Sequence, residues 1–324
     1  MGNIVVLGSL ITDLVARAPR MPLPGESLFG DSFGTFLGGK GLNQAIAAAR
    51  LEADVTLIGR VGTDSFGDSF FPALTQEGID GTYVERDTHI GTPTSIIIVD
   101  ASSGQNAIIT TPGANMAIPA HAVVSALQAI RERQSQNADP PLFLCQCETS
   151  YESFAGGLEY AHAAGMQTIL NAAPIPRQPL DDHLFALVDI LVVNEVEASH
   201  LSGCQVISAD TAKQAAESLI QRGSQQVIIT LGGQGCVWST RERDRMQHTT
   251  LPAFRVKAVD ATAAGDAFCG ALATGLSAGM TMPQALHRAT AAGAVTVTRM
   301  GAVASLPGAS EIDTLLSSQG LEGS

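Results

Sequence analysis

Short apolar runs alternate along most of the chain with longer stretches whose apolar residues recur at helical spacing. The runs predict buried strands at 3–7, 55–58, 142–146, 168–171, 190–193 and 227–231. The stretches between them predict helices, among them 41–51, 65–76, 119–133, 268–280 and 283–299, of which the last two close the chain. Repeated strand–helix units of this kind predict an α/β fold with a doubly wound, mostly parallel sheet flanked by helices.

Two parts of the chain break this alternation. Residues 10–36 carry three prolines and three glycines between short alternating pieces, and residues 92–111 contain two further β-branched runs. Such pieces are typical of short edge strands rather than of strand–helix units. We expect both parts to form one small sheet that projects from a single main domain spanning 1–324.

Composition and charge limit the classes of ligand and surface that the protein is expected to bind. The chain has 324 residues, of which 45% are hydrophobic, which is enough for one large α/β domain with a substantial core. Its formal net charge is −13 and it contains no run of Lys or Arg, so it is not expected to bind nucleic acid or an anionic membrane surface. A polar stretch at 134–141 predicts a loop before the strand at 142–146.

Cysteine usage and the N-terminus favour a cytoplasmic protein. The five cysteines form no CxxC pair, which argues against a disulfide framework and favours a reducing compartment. Cys145 and Cys147 are interpreted as buried strand residues, because no His lies near them in the sequence. The chain opens directly into a strand without a basic leader, and no apolar run is long enough to span a bilayer.

The segment 259–268, VDATAAGDAF, is the most informative stretch. Its small residues lead into the helix predicted at 268–280, so backbone N–H groups point outward at the positive end of the helix dipole. That arrangement suits a phosphate or a developing anion. Asp266 is then interpreted as a base that takes a proton from a hydroxyl during phosphoryl transfer. Alternatively, the small residues allow close packing and Asp266 caps the helix.

Two motifs near the N-terminus indicate recognition of a polyol. GGKGLN at 38–43 combines glycines, which let backbone approach a ligand, with the donors and acceptors of Lys40 and Asn43. It is not a Walker A loop, and a plain strand-to-helix turn is the alternative. Asp13 follows the first strand and could accept hydrogen bonds from two vicinal hydroxyls, or form an Asx-turn. No GxGxxG follows that strand, which counts against a dehydrogenase.

Two further motifs follow predicted strands in the second half of the chain. Asn194 and Glu197 could serve a hydrated Mg²⁺, or cap the helix that begins there. The glycine-rich turn that contains Thr230, Gly232 and Gly235 could pass close to nucleotide phosphates, although a single turn of this kind is weak evidence.

Together, the order and chemistry of these motifs resemble the ribokinase-type (PfkB) carbohydrate kinase family over essentially the whole chain. GGKGxN at 38–43 and AAGD at 263–266 match the family's two characteristic motifs. Similarity to the ribokinase branch extends through 38–51, 170–174, 194–198 and 297–302. The resemblance implies an ATP-dependent kinase that phosphorylates the 5-hydroxyl of a pentose, with D-ribose narrowly preferred to 2-deoxy-D-ribose as the expected substrate.

The resemblance also implies roles for individual residues. Asp266 would be the catalytic base, with an anion hole formed by Ala263, Ala264 and Gly265. The sugar would be bound by Asp13, Gly39, Lys40, Asn43 and Glu148. The phosphate–Mg²⁺ network would use Asn194 and Glu197, and the nucleotide would lie along Thr230, Gly232 and Gly235. An activating monovalent cation, K⁺, would be held, partly through backbone carbonyls, by Asp260, Thr262, Thr296, Arg299, Gly301 and Ser305.

The same resemblance implies a function for the small sheet. A lid formed by 10–36 and 92–111 would close over the sugar and exclude water that would otherwise hydrolyse ATP. The resemblance further implies that two lids pair in a homodimer, which would cover their exposed strand edges.

The sequence departs from the family pattern at three positions near the expected site. Ala261 and Ala267 replace residues that are usually Thr or similar, and both are expected to adjust packing only. Ile11 stands where ribokinases usually have Asn, two residues before the sugar-binding Asp. An apolar side chain there favours a deoxy sugar, because it cannot hydrogen-bond a hydroxyl.

Two rival functions remain open. A nucleoside kinase of the same fold would need aromatic residues that stack on a base, but aromatics make up only 5% of the chain and none adjoins Asp13 or Lys40. A catalytically silent sugar-binding protein would not require Asp266 with its small-residue turn, nor the Asn194 and Glu197 pair. Sugar-dependent release of ADP separates these alternatives.

Overall fold

A computed structural model describes residues 2–133, 139–243 and 245–319, so most of the predicted loop at 134–141 lies outside the described residues. The strands are β1 (Asn3–Leu7), β2 (Ile11–Ala18), β3 (Ser32–Gly38), β4 (Asp54–Gly62), β5 (Asp80–Asp87), β6 (Thr94–Asp100), β7 (Asn106–Thr111), β8 (Leu142–Gln146), β9 (Thr168–Asn171), β10 (Ile190–Asn194), β11 (Gln226–Thr230), β12 (Cys236–Glu242) and β13 (Arg245–Leu251). The helices are α1 (Lys40–Arg50), α2 (Ser65–Gln76), α3 (Ala120–Arg133), α4 (Tyr151–Ala163), α5 (Asp182–Ala186), α6 (Glu195–Ser202), α7 (Ala209–Gln221), α8 (Ala264–Ser277), α9 (Met282–Thr296) and α10 (Ala309–Ser318).

The main sheet has nine strands in the order β13-β12-β11-β10-β9-β8-β1-β4-β5. The strands from β11 to β5 pair in parallel, and β12 and β13 add an antiparallel edge. Two apolar clusters, one for each face of the sheet, bury the strands, which explains why they read as continuous apolar runs in the sequence. The prediction of a doubly wound α/β sheet is confirmed.

A second sheet of four strands has the order β3-β2-β6-β7. Its central pair, β2 and β6, is parallel, and the outer pairs are antiparallel. The sequence correctly predicted that 10–36 and 92–111 form one small sheet, although β3 extends to Gly38. Several of its large apolar side chains are exposed, namely Phe33, Phe36, Ile96, Ile108 and Ile109.

Helix boundaries near the C-terminus differ from those predicted. The helix expected at 268–280 begins at Ala264, because Ala263 adopts a left-handed conformation (φ 61°) that turns the chain into the helix four residues earlier. The helix expected at 283–299 ends at Thr296, and α10 follows it, so that pair of helices does not close the chain. Gly265 and Asp266 consequently lie in the first turn of α8 rather than in a preceding loop.

Two other expectations are settled by the structure. All five cysteines are free, and Cys145 is buried on β8 as predicted, whereas Cys147 is only partly buried and lies just beyond the strand. Among the described residues, no helix combines the length and the apolar character needed to cross a membrane.

Close backbone contacts between glycines place α1 against the end of β1. A Cβ on Gly41 would lie 2.4 Å from the carbonyl carbon of Gly8, and a Cβ on Gly8 would lie 2.5 Å from Cα of Gly41. Gly39 enters the helix with φ 95°, and a Cβ there would lie 2.7 Å from the Ser9 carbonyl oxygen. Only glycine satisfies both the positive φ and the close approach at Gly39.

The close contact between α1 and β1 allows a prediction of how much an added methyl group at Gly41 lowers stability. Gly41→Ala is expected to lower the free energy of unfolding by about 2–3 kcal/mol, because the added Cβ meets backbone that cannot move without separating α1 from β1. Chemical denaturation measures this change. Gly308→Ala is the control, because an added Cβ there meets no atom within 4 Å. Equal stability of the two variants would contradict the packing argument.

Candidate functional site

The N-terminus of α1 meets three acidic side chains from separate parts of the chain. The pKa of Lys40 is raised chiefly by the negative charge of Asp266, and also by those of Glu148 and Glu197, although burial opposes the rise. These residues follow or face the carboxyl ends of β8, β10 and β1, the edge at which open parallel sheets bind ligands. The structure therefore brings Lys40, Asp266 and Glu197, which belong to three of the sequence motifs, near Glu148, which only the resemblance implied.

Asp266 is buried in the first turn of α8 with only 6% of its surface exposed. Its Oδ2 accepts a hydrogen bond from Nδ2 of Asn43 at 2.9 Å, and its Oδ1 accepts one from Nε2 of Gln44 at 3.0 Å. An ionised carboxylate has about four lone-pair positions, so it can still accept a hydrogen bond from a substrate. The side chain is thus held in place and still able to act as a base.

The turn before Asp266 offers backbone donors to an anion. Within the described part of the chain, the N–H groups of Gly265 and Asp266 make no backbone hydrogen bond, whereas the Ala264 N–H is donated to the Ala261 carbonyl at 3.3 Å. Ala263, the residue with the left-handed conformation, sets the direction of this first turn. Free N–H groups at a helix N-terminus suit an anion, and here they lie in the same turn as the Asp266 carboxylate.

A cavity of about 540 Å³ opens on one side of this turn. Its lining includes Ala264 and Gly265 from α8 together with Thr230, Gly232 and Gly235 from the glycine-rich turn after β11. The predicted nucleotide residues therefore line the same space as Ala264 and Gly265, two of the three residues predicted to form the anion hole.

A second cavity, of about 580 Å³, is lined by Ile11 and Glu148 among other residues. Glu148 is fixed beside the start of α1, because its Oε2 accepts hydrogen bonds from the Ser9 hydroxyl and from the Lys40 backbone N–H, the latter at 2.9 Å. Ile11 is 6% exposed. A buried apolar side chain and an oriented carboxylate therefore share one wall of this cavity.

Asp13 contributes a partly buried carboxylate from the small sheet. Burial raises its pKa to about 6, and the negative charge of Glu148 adds to the rise, whereas a hydrogen bond with Ser95 opposes it. Gly38 on the adjacent strand leaves room for this side chain, since a Cβ there would lie 2.4 Å from Oδ2 of Asp13. The fold thus retains a carboxylate where ionisation is unfavourable.

Asn194 and Glu197 form a reciprocal cap at the start of α6. Oδ1 of Asn194 accepts from the Glu197 N–H, and Oε2 of Glu197 accepts from the Asn194 N–H, both at 2.9 Å. Burial raises the pKa of Glu197, although the Asn194 N–H and the charge of Lys40 counteract it. The capping interpretation is confirmed, and the magnesium interpretation stays a prediction.

The residues predicted to hold a monovalent cation are arranged around Asp260. Its carboxylate accepts hydrogen bonds from the backbone N–H groups of Thr262 and Gly301, each at 2.9 Å, and from the Thr262 hydroxyl at 2.7 Å. Burial opposes ionisation, but these hydrogen bonds lower the pKa of Asp260. The structure thereby joins 260–262 to 301.

Three other predicted cation ligands have side chains that are engaged elsewhere. The Thr296 hydroxyl donates to the Ala292 carbonyl, the Ser305 hydroxyl donates to the Ala302 carbonyl, and the Arg299 guanidinium pairs with Glu311. The Arg299 guanidinium has no lone pair for a cation, so only the Arg299 carbonyl could face one, whereas a donating hydroxyl keeps its oxygen lone pairs. The Thr296 carbonyl already accepts from the Arg299 N–H at 3.2 Å.

Three buried amides form a network that reaches Asp266, and the sequence analysis assigned no function to any of them. They are Gln44 on α1, Gln146 at the end of β8 and Asn171 at the end of β9. Their signal was available, because each is a polar residue that interrupts or ends an otherwise apolar segment. Nothing in the linear sequence indicated that the three side chains would meet.

Comparison with known proteins agrees with this geometry. The model of the family described as pfkB family carbohydrate kinase matches residues 1–309. The chain is 36% identical over 305 residues to a ribokinase from Haemophilus influenzae, covering 94% of this chain and 95% of that protein. It is 34% identical over 315 residues to a deoxyribokinase from Salmonella typhi, covering 97% of this chain and 99% of that protein.

Solved structures show the same architecture. The structure of Arabidopsis thaliana ribokinase complexed with ribose and ATP aligns with a TM-score of 0.85 at 28% identity, covering 97% of this chain and 98% of that one. Thermotoga maritima ribokinase aligns with a TM-score of 0.82 at 32% identity, covering 98% of this chain and all of that one (100%). The family model and these relatives extend over nearly the whole chain, and the protein is therefore a member of the PfkB family of carbohydrate kinases.

Proposed function

We propose that this kinase transfers the γ-phosphoryl group of ATP to the 5-hydroxyl of D-ribose. The observation that carries the proposal is the position of the Asp266 carboxylate in the first turn of α8, where the N–H groups of Gly265 and Asp266 are free and Gly265 lines a cavity. Relatives that are named ribokinase, and a similar structure that holds ribose and ATP, support the choice of substrates.

In the proposed reaction, Asp266 takes the proton of the 5-hydroxyl as that oxygen attacks the γ-phosphorus. The bond from the γ-phosphorus to the oxygen bridging it to the β-phosphorus breaks, and ADP leaves. Negative charge on the transferring group faces the N-terminus of α8, where Ala263, Ala264 and Gly265, with Asp266, are proposed to form the anion hole. The N–H groups of Gly265 and Asp266 are free to donate, whereas the Ala264 N–H would first have to leave the Ala261 carbonyl. Because the protein carries a formal net charge of −13, such local donors are needed to hold phosphate.

The sugar is assigned to the cavity lined by Ile11 and Glu148. Of the residues expected to bind its hydroxyls, Glu148 lines this cavity, and the Lys40 backbone N–H donates to Glu148. Lys40, Asp13 and Asn43, with Gly39 allowing close backbone approach, are proposed to complete the sugar site. Support comes from Oδ1 of Asn43, a buried acceptor that has no hydrogen-bond partner among the described residues while its Nδ2 is engaged by Asp266. A buried unpartnered acceptor is costly unless a ligand satisfies it.

The nucleotide is assigned to the cavity lined by Thr230, Gly232 and Gly235. Asn194 and Glu197 would serve Mg²⁺, which supplies charge neutralisation on the phosphates when bound. These residues fit Mg²⁺, because the reciprocal cap uses only Oε2 of Glu197 and because Mg²⁺ commonly keeps several waters and few carboxylates.

K⁺ is assigned to the loops joined by Asp260. That carboxylate and the backbone carbonyls of Thr262, Thr296, Arg299, Gly301 and Ser305 offer the oxygen donors that an alkali cation takes. When bound, the cation would stabilise the turn that leads into α8. Side-chain coordination by Arg299 is not part of the proposal, because its guanidinium pairs with Glu311.

The four-stranded sheet is assigned the role of a lid that excludes water from the sugar site. A second copy of the chain is proposed to cover its exposed apolar side chains, which include Phe33, Ile96 and Ile109, so that the enzyme works as a homodimer. The five free thiols support a cytoplasmic location.

A second candidate substrate is 2-deoxy-D-ribose. Ile11 presents a hydrocarbon side chain to the sugar cavity, and the nearby Asn115 amide is already engaged with the backbone N–H and carbonyl of Leu10. A hydroxyl of ribose that faces Ile11 would lose its water without gaining a partner, whereas a deoxy position would lose nothing.

Removing the base tests the mechanism. Asp266→Asn is expected to lower kcat by about 10²-fold or more while preserving the fold and sugar binding, because the amide cannot take the proton. Release of ADP in buffer with K⁺ and Mg²⁺ measures the change. Asp54→Asn, an exposed substitution at the start of β4, serves as the matched control. Turnover of Asp266→Asn near that of the control would overturn the assignment.

The choice of sugar is tested by titrating ribose and 2-deoxyribose side by side. Ile11→Asn is expected to raise the ratio of kcat/KM for ribose to that for 2-deoxyribose by about tenfold, the value of one added hydrogen bond. An unchanged ratio would remove Ile11 from the determinants of specificity. If the unsubstituted protein turns over neither sugar, the substrate assignment moves to nucleosides or other sugars.

Asp13 gives a prediction about stability and pH. Its pKa of about 6 in the folded chain exceeds the ordinary 3.8, so between these values the folded state binds a proton that the unfolded state releases. Stability from this group is therefore lost as pH rises from about 4 to 6. Asp13→Asn should raise the free energy of unfolding at pH 7 by about 1–2 kcal/mol and weaken sugar binding.

Chemical denaturation between pH 4 and 7, with Asp54→Asn as the control, measures this effect. A loss of stability at pH 7 in Asp13→Asn would show that the carboxylate supports the fold, contrary to the role proposed for it.

A further inference from the structure

The amide of Gln44 is the centre of a buried network that reaches Asp266. Its Nε2 donates to Oδ1 of Asp266 and to Oδ1 of Asn171, each at 3.0 Å, and its Oε1 accepts from Nε2 of Gln146 at 2.8 Å. Gln44 and Gln146 are both 0% exposed. Three elements, α1, β8 and β9, thus support the side chain that proton transfer requires.

The hydrogen-bonding capacity of each group determines how the amides are oriented. The Val192 backbone carbonyl can only accept, so Asn171 directs its NH₂ to it at 3.1 Å and turns its oxygen toward Gln44. Asp266, when ionised, also only accepts, so Gln44 must present its NH₂ to both residues. The side-chain oxygen of Gln44 faces the NH₂ of Gln146. Each amide NH₂ group of the network therefore has an acceptor.

This arrangement costs more than an apolar core would. Oε1 of Gln146 is buried without a hydrogen-bond partner in the described residues, and it lies where a Cβ on Gly8 would come within 2.3 Å. A methionine at position 146 would have a similar length and would leave no buried amide oxygen without a partner. Folding alone gives no reason to keep polar groups here. Gln146 and Asn171 both contact the Gln44 amide, and Gln44 in turn contacts the carboxylate of Asp266.

We propose that Gln44 is a positioning residue that orients the Asp266 carboxylate toward the substrate hydroxyl, and that Gln146 and Asn171 fix the orientation of the Gln44 amide. The inference rests on the proposed function of Asp266 as the base. Asn43 holds Oδ2 of the same carboxylate, so the two amides on successive residues of α1 restrain both oxygens.

Methionine substitutions test the proposal, since methionine keeps the length of glutamine and removes its amide. Gln44→Met is expected to lower kcat about tenfold, the value of one hydrogen bond to a charged group, with KM for sugar and ATP within about twofold. Gln146→Met should lower kcat about threefold, because it releases the Gln44 amide without removing it. The matched control is Gln226→Met, which loses a 2.9 Å hydrogen bond from Trp238 at the opposite end of the sheet and should keep the original kcat.

A pH profile tests directly whether the side chain at position 44 contacts the base. Gln44→Glu places a second carboxyl group against Asp266, and two adjacent carboxylates resist ionising together. The acidic limb of kcat should therefore move upward by about one pH unit in Gln44→Glu and stay in place in Gln226→Met. A crystal structure of Gln44→Met should show the Asp266 side chain in a changed or divided rotamer, a readout that does not depend on which sugar is phosphorylated.

The outcomes distinguish this inference from the proposed function. If Asp266→Asn is inactive while a folded Gln44→Met keeps the original kcat and the original Asp266 rotamer, the positioning role is wrong and the base assignment stands. If Gln44→Met does not fold, an unchanged kcat and Asp266 rotamer in Gln146→Met overturn the role by the same criterion. An active Asp266→Asn would instead overturn the proposed function itself.

Discussion

The site depends on how closely α1 packs against its two neighbours. On one side, Gly41 lies against the backbone of Gly8 at the end of β1. On the other, a Cβ on Gly270 of α8 would come within 2.8 Å of the Gln44 carbonyl oxygen and 2.6 Å of the Ala47 Cβ. Larger residues at these points would separate the helices. Because glycine allows both contacts, the first turns of α1 and α8 lie within side-chain reach, and Asn43 and Gln44 meet Asp266.

That packing also concentrates charge. Lys40 is held among carboxylates from α6, α8 and the segment after β8, and the small sheet adds Asp13, whose pKa is raised by burial. Such an arrangement is electrostatically poor for a fold without ligands, since carboxylates lie close together in a partly dehydrated space. Polyol hydroxyls, phosphates and cations would satisfy these groups, which is why functional sites commonly contain residues that weaken stability.

Much of this fold could be predicted from local sequence. The apolar runs at β1, β8 and β9 gave correct strands, because a strand buried on both faces leaves a continuous apolar signal. The start of α8 was predicted four residues too late, because the small residues of AAGD weigh against a helix when only the sequence is known. The structure shows that the left-handed Ala263 precedes the helix and that the remaining three residues belong to its first turn. The helix α10 was missed.

The site was predictable as a set of motifs but not as a network. Asp266, Lys40, Asn194 and Glu197 were found because each belongs to a short motif with its own chemistry. Gln146 lies 102 positions after Gln44 in the sequence and Asn171 lies 127 positions after it, and no local pattern links the three residues. Their association follows from tertiary packing, which brings the carboxyl ends of β8 and β9 beneath α1.

The most direct test of the account is a crystal structure of the protein with ribose and a non-hydrolysable ATP analogue. The account predicts that the 5-hydroxyl lies within hydrogen-bonding distance of an Asp266 carboxylate oxygen. It also predicts that the γ-phosphate lies between that hydroxyl and the Gly265 N–H. A sugar whose 5-hydroxyl points away from Asp266, or a γ-phosphate remote from the first turn of α8, would contradict it.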